Sequence, residues 1–94
     1  MITEDDFFQV LGAKGAMEIL EYLNQHGGGF YTDLTEVTNT LTVNMRLREL
    51  LLFNLIQDHE LESGEKWYSL TEKGQQIVEL MKDLVRLVGR CSNG

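Results

Sequence analysis

The chain has 94 residues, enough for one small core and short enough that a second copy would add useful burial. Eight basic residues face 15 acidic ones, a formal net charge of −7, so a nucleic-acid role cannot rest on bulk charge. Cys91 is the single cysteine, which excludes an internal disulfide, and His26 and His59 make no cluster with it at metal-ligand spacing.

No apolar run approaches the roughly 20 residues of a membrane span. The stretch Met1-Ile2-Thr3-Glu4-Asp5-Asp6 is acidic where a signal peptide is basic, so a cytoplasmic setting without membrane association is expected. In chain order, Phe7, Phe8, Val10 and Leu11 give Glu4 to Leu11 a short helical pattern ending at Gly12, with its aromatics expected to be buried. Ala13, Ala16, Met17, Leu20 and Leu23 then recur at spacings of three and four, predicting an amphipathic helix from Ala13 to Asn24. Gly27-Gly28-Gly29 ends it; because this triplet follows a helix instead of opening one, it lacks the geometry of a phosphate loop.

Asp33 with Glu36 reads as a capping pair opening a second helix through Leu34 and Val37. Thr40 or Thr42 can cap a third over 42–53, whose Val43, Leu47, Leu50 and Leu51 face the core, and Asn54 can end it because Asn tolerates the left-handed conformation. Leu55 to Leu61 and Trp67 to Leu70 read as a hairpin turning near Glu62 to Glu65, with Ser63-Gly64 at the turn. Thr71 can cap a last helix. The tail from Cys91 to Gly94 is expected to fray.

Two segments carry a family resemblance. Leu41-Thr42-Val43-Asn44-Met45-Arg46-Leu47-Arg48-Glu49-Leu50 with Asn54-Leu55-Ile56 resembles the recognition helix and exit of winged helix-turn-helix transcriptional regulators of the MarR-like, ArsR-like and HxlR-like kind. Tyr68-Ser69-Leu70-Thr71-Glu72-Lys73-Gly74 resembles the corner between their wing and last helix, and is the more specific of the two. The resemblance covers nearly the whole chain. It implies a mainly α fold with a small β-hairpin and an added C-terminal helix: one winged-helix domain over 1–94, with a core at 12–74 and a dimerisation helix at 71–90. It also implies binding to double-stranded DNA. Asn54 stands where these families usually carry Gly, and the wing holds Glu60, Glu62 and Glu65 against Lys66. The cysteines of the metal-sensing members have no counterpart, so no metal or other cofactor is expected.

On a helical wheel centred on Leu47, the residues Thr42, Met45 and Glu49 fall outward, with Arg46 and Arg48 flanking them about 160° apart. The residues placed at DNA are Thr42, Asn44, Met45, Arg46 and Arg48, the first four in the groove and the two arginines divided between a base edge and phosphate, with Lys66 and Lys73 on the backbone. Together with Lys14, these cations would neutralise roughly 4 to 8 phosphates in a dimer. Two other readings stay open: both arginines as ordinary surface residues with Glu49 pairing locally, or Met45 and Leu52 as an apolar strip for a protein partner.

In the last helix Ile77, Leu80, Met81, Leu84, Leu87 and Val88 alternate at three and four, and Val78 and Val85 widen the apolar arc to about 180°. This seam is expected to pair two copies. The alternative is a monomer in which Val78 and Val85 pack on Phe7 and Phe8. Asp83 with Arg86 and Glu79 with Lys82 read as a self-paired solvated face. Cys91 and both histidines are assigned no role. No nucleophile, base or carboxylate pair has a supporting context, so catalysis is not expected.

Overall fold

A computed structural model describes residues 3–92, with side chains from 3 to 89. Eight elements follow in order: α1 (Glu4–Gly12), α2 (Ala16–His26), β1 (Gly29–Phe30), α3 (Tyr31–Leu34), α4 (Thr40–Leu52), β2 (Ile56–Glu60), β3 (Lys66–Leu70) and α5 (Glu72–Ser92). The three strands form an antiparallel sheet in the order β1-β3-β2, so the hairpin gains a third strand through Phe30 opposite Trp67. Strand β1 was not expected.

Thr3 starts α1 through a capping box, its hydroxyl accepting from the Asp6 N–H while the Asp6 carboxylate accepts from its own. The helix packs over the end of α4, Phe7 meeting Phe53 edge to face at 5.3 Å between ring centres. Phe7 is half-buried as expected, but Phe8 lies outside the core and is exposed. The predicted start of α2 at Ala13 is three residues early, because a turn through Lys14 and Gly15 intervenes. Its predicted exit holds, with Gly27 in the left-handed region.

Two capping expectations are corrected. Helix α3 begins at Tyr31, and the Asp33 carboxylate accepts from the Phe30 N–H instead of opening a later helix. Helix α4 is capped by Asn39, whose side-chain oxygen accepts from the Thr42 N–H at 2.8 Å, and neither Thr40 nor Thr42 has that role. At its other end Asn54, at φ 62°, donates to Leu51 while Leu55 donates to Leu50, the paired bonds of a Schellman exit.

The core joins Ile19, Leu20 and Leu23 of α2 to Leu34, to Val43, Leu47 and Leu50 of α4, and to Leu55, Ile56, Tyr68 and Leu70 of the sheet. Val78 is the α5 residue fully inside it, with Ile77 and Met81 at its edge. Helix α5 packs on α2 and β3. Beyond Met81, Val85 and Arg86 still border a groove with Met17 and Glu21 of α2, while Leu84, Val85, Leu87 and Val88 are exposed. Val85 therefore does not pack on the N-terminal aromatics. Cys91 and Ser92 continue the helix instead of fraying, whereas the Cys91 side chain and residues 93 and 94 lie outside the described residues.

Candidate nucleic-acid interface

The recognition-type helix α4 buries Val43, Leu47 and Leu50 and turns Leu41, Asn44, Met45, Arg48 and Leu52 to solvent. This outward face is rotated from the one the wheel predicts. The cause is α1, which packs beside α4 and, with the α1–α2 turn, covers the flank carrying Thr42, Arg46 and Glu49. The Thr42 γ-methyl lies so near Gly15 that a Cβ there would stand 2.8 Å from it. Arg46 packs beside it, its side chain only 12% exposed, and donates to the Glu49 carboxylate at 2.5 Å. Its Nε is buried and makes no hydrogen bond.

Asn44 and Arg48 have the opposite disposition. Asn44 is exposed yet held in place, because the Tyr31 hydroxyl on α3 donates to its side-chain oxygen at 2.6 Å. Arg48 is exposed and pairs with no carboxylate among the described residues. Around these two polar groups stand Leu41, Met45 and Leu52, respectively 70%, 45% and 64% exposed, so the face is mostly apolar.

The wing is acidic. Lys66, its single lysine or arginine, lies 3.6 Å from the Asp58 carboxylate across the ladder. Asp58 and Glu60 stand opposite Tyr68 and Lys66, and Glu62 and Glu65 are exposed near the tip. On the other face His59 packs against Trp67 and approaches the Ser69 hydroxyl at 3.3 Å. Tyr68 is buried, and its phenol is pushed above the ordinary value first by desolvation, then by the nearby Asp58 charge and Tyr31. Lys73, on the first turn of α5, is exposed and unpaired among the described residues.

Sequence reasoning therefore brings together Asn44, Met45 and Arg48 on one surface, while Thr42 and Arg46 sit on the covered flank. It missed Leu41, which completes the outward face, and Tyr31, which orients Asn44. Leu41 lies at i−4 from Met45 and was legible; Tyr31 reaches across from another helix and was not.

Along α5, Leu80, Leu84, Val85, Leu87 and Val88 form an exposed apolar surface, with Ile77 and Met81 anchoring its base. Arg86 donates to Asp83 at 3.0 Å, as the i, i+3 spacing predicts. Among the described residues no helix is long and apolar enough to cross a membrane, and no group of His, Cys, Asp and Glu is placed to hold a metal.

No family model matches the sequence, and no curated protein does. Solved structures do match in shape. The reduced form of the transcriptional regulator YodB from B. subtilis superposes with a TM-score of 0.81 at 22% identity, over 100% of this chain and 99% of that one. A MarR-family protein of Enterococcus faecalis V583 gives 0.80 at 17%, over 99% and 91%. BpsR of Bordetella bronchiseptica, whose DNA binding is regulated by 6-hydroxynicotinic acid, gives 0.78 at 16%, over 99% and 70%. The chain has the winged-helix fold of transcriptional regulators: mostly helical, with a three-stranded antiparallel sheet whose β2–β3 hairpin is the wing.

Proposed function

We propose that the chain is a homodimeric DNA-binding transcriptional regulator, acting in the cytoplasm and presenting α4 to the major groove of double-stranded DNA. The observation that carries this reading is the exposed pair Asn44 and Arg48 on the recognition-type helix of a winged-helix frame, one oriented by Tyr31 and the other paired with no carboxylate among the described residues. Arg pairs bidentately with guanine and Asn with adenine, so the two supply a short polar reading edge. Met45 and Leu41 beside them suit thymine methyl groups. Thr42 stands at the margin, and Arg46 reaches phosphate or base only by releasing Glu49. Lys73 serves the backbone directly, whereas Lys66 must first leave Asp58. The protein binds without catalysing and uses no cofactor.

Dimerisation is assigned to α5 through Leu80, Leu84, Leu87 and Val88, with Ile77 and Met81 completing the seam. A helix this apolar on its solvent side is stabilised by a second copy, and two-fold pairing would present two α4 helices to successive turns of the duplex.

A second reading is favoured by one specific observation. With Leu41, Met45 and Leu52 exposed on α4 and the wing's Lys66 paired, the same face suits a protein partner, and the module would then have little DNA affinity. Titration of duplex DNA against the protein and its Arg48→Ala variant separates the two.

A further inference from the structure

Between the first turn of α3 and the wing lies a cleft of about 390 Å³, within the size range of small-molecule sites. Tyr31, at the start of α3, and the buried Tyr68 from β3 line it, together with Phe30, which pairs with Trp67 and so points its side chain to the opposite face of the sheet. Thr32, Glu65 and Lys66 complete the wall.

The charged residues of its wall are Glu65 and Lys66, and Asp58 and Glu60 stand beside Lys66 at its margin. Lys66 is drawn to Asp58 at 3.6 Å, which neutralises it, and Glu60 stands opposite Lys66 in the ladder with Asp58 on the same side of the strand. Glu65 remains, receiving one hydrogen bond from the Ser63 hydroxyl at 3.3 Å. Counting the margin, three carboxylates stand around one paired ammonium, a balance that favours a cation over an anion. The upward shift of Tyr68, to which the Asp58 charge contributes after burial, has the same sign. The phenol rings of Tyr31 and Tyr68 have electron-rich faces.

Aromatic walls with a carboxylate at the rim are the arrangement that binds alkylated ammonium groups: the rings attract the diffuse positive charge, and an onium head lacks the tight hydration that holds a metal ion in water. We propose that the cleft formed by Tyr31, Tyr68 and Glu65 binds a small quaternary ammonium compound. Tyr31 gives the site a second consequence. Its ring lines the cleft while its hydroxyl holds Asn44 on α4, so occupancy bears on the orientation of a residue assigned to the DNA groove. This coupling rests on the regulator reading; the site itself does not.

The test uses choline as probe, its neutral carbon isostere 3,3-dimethylbutan-1-ol, and benzoate as an anion, each titrated into the full chain by two-dimensional amide NMR. Choline is expected to give saturable shifts centred on Tyr31, Glu65 and Tyr68, with the alcohol and benzoate binding at least about tenfold more weakly. Glu65→Gln, an exposed change on the wing, should weaken choline several-fold and leave the fold unchanged. Tyr31→Leu should abolish binding, and Tyr31→Phe should retain it while removing the shift at Asn44. Equal binding of the alcohol, preference for benzoate, an unaffected Glu65→Gln variant, or no saturation at tens of millimolar choline would each overturn the site. Choline binding to a protein that does not bind duplex DNA upholds the site and counts against the regulator reading alone.

Discussion

The Thr71 hydroxyl donates to the Asn54 carbonyl oxygen at 2.7 Å and accepts from the Gly74 N–H at 3.0 Å, tying the exit of α4 to the entry of α5 across the whole wing. The Thr71 N–H adds a third bond, to the Leu55 carbonyl. One side chain thus sets the angle between the recognition-type helix and the helix assigned to dimerisation. Thr71→Val, which keeps the shape and loses the hydroxyl, should cost about 1–2 kcal/mol in urea denaturation, and Thr71→Ser should recover most of it.

Gly74 lies against the same carbonyl. A Cβ there would stand 1.9 Å from the Leu55 oxygen, a backbone atom that cannot swing aside. Gly28, at φ 138°, faces the Trp67 ring, where a Cβ would approach to 2.1 Å. Gly74→Ala and Gly28→Ala should each destabilise by about 3 kcal/mol or more, whereas Gly64→Ala, at the open wing tip, should lose only the smaller backbone term. Thermal melts of the three variants check the order.

Tyr68 predicts an alkaline limb. Its folded pKa is raised above 10, the ordinary value, so above that pH the unfolded chain releases the phenolic proton before the folded one does. Stability contributed by the protonated form is therefore complete below pH 10 and lost as pH rises through the folded value. Urea midpoints should fall more steeply between pH 9.5 and about 11 in the parent chain than in Tyr68→Phe.

Helix α5 provides a direct check on assembly. Leu84 is 61% exposed on its apolar side and distant from the core that Val78 fills. Leu84→Asp should convert a dimer to a monomer in sedimentation velocity with little change in helical circular dichroism. A parent chain that is monomeric at high micromolar concentration would refute the seam.

Much of this fold was legible where pattern and local chemistry coincide. The i, i+4, i+7 series of α4, the Asn54 exit, the Ser63-Gly64 turn and the Thr71 cap each follow from side chains acting within a few residues. Strand β1 was not legible, because two residues carry no alternation and its partner β3 lies far along the chain. The capping errors at Asp33 and Thr40 share a cause: several consecutive polar residues can cap, and tertiary packing selects among them. The largest error concerned which side of α4 faces out. A wheel places the core opposite solvent but contains no α1, and α1 covers the Thr42–Arg46–Glu49 flank. Arg46 thereby becomes a half-buried ion-pair partner, and Arg48 the open cation of the helix.

The most direct measurement is binding to random-sequence duplex DNA at low and physiological salt, with Arg48→Ala beside the parent. The regulator reading predicts salt-sensitive binding that Arg48→Ala weakens about tenfold or more and that Arg46→Ala, removing a side chain already paired to Glu49, weakens less. No binding at low salt, where phosphate contacts are strongest, would contradict it and transfer the exposed face of Leu41, Met45 and Leu52 to a protein partner.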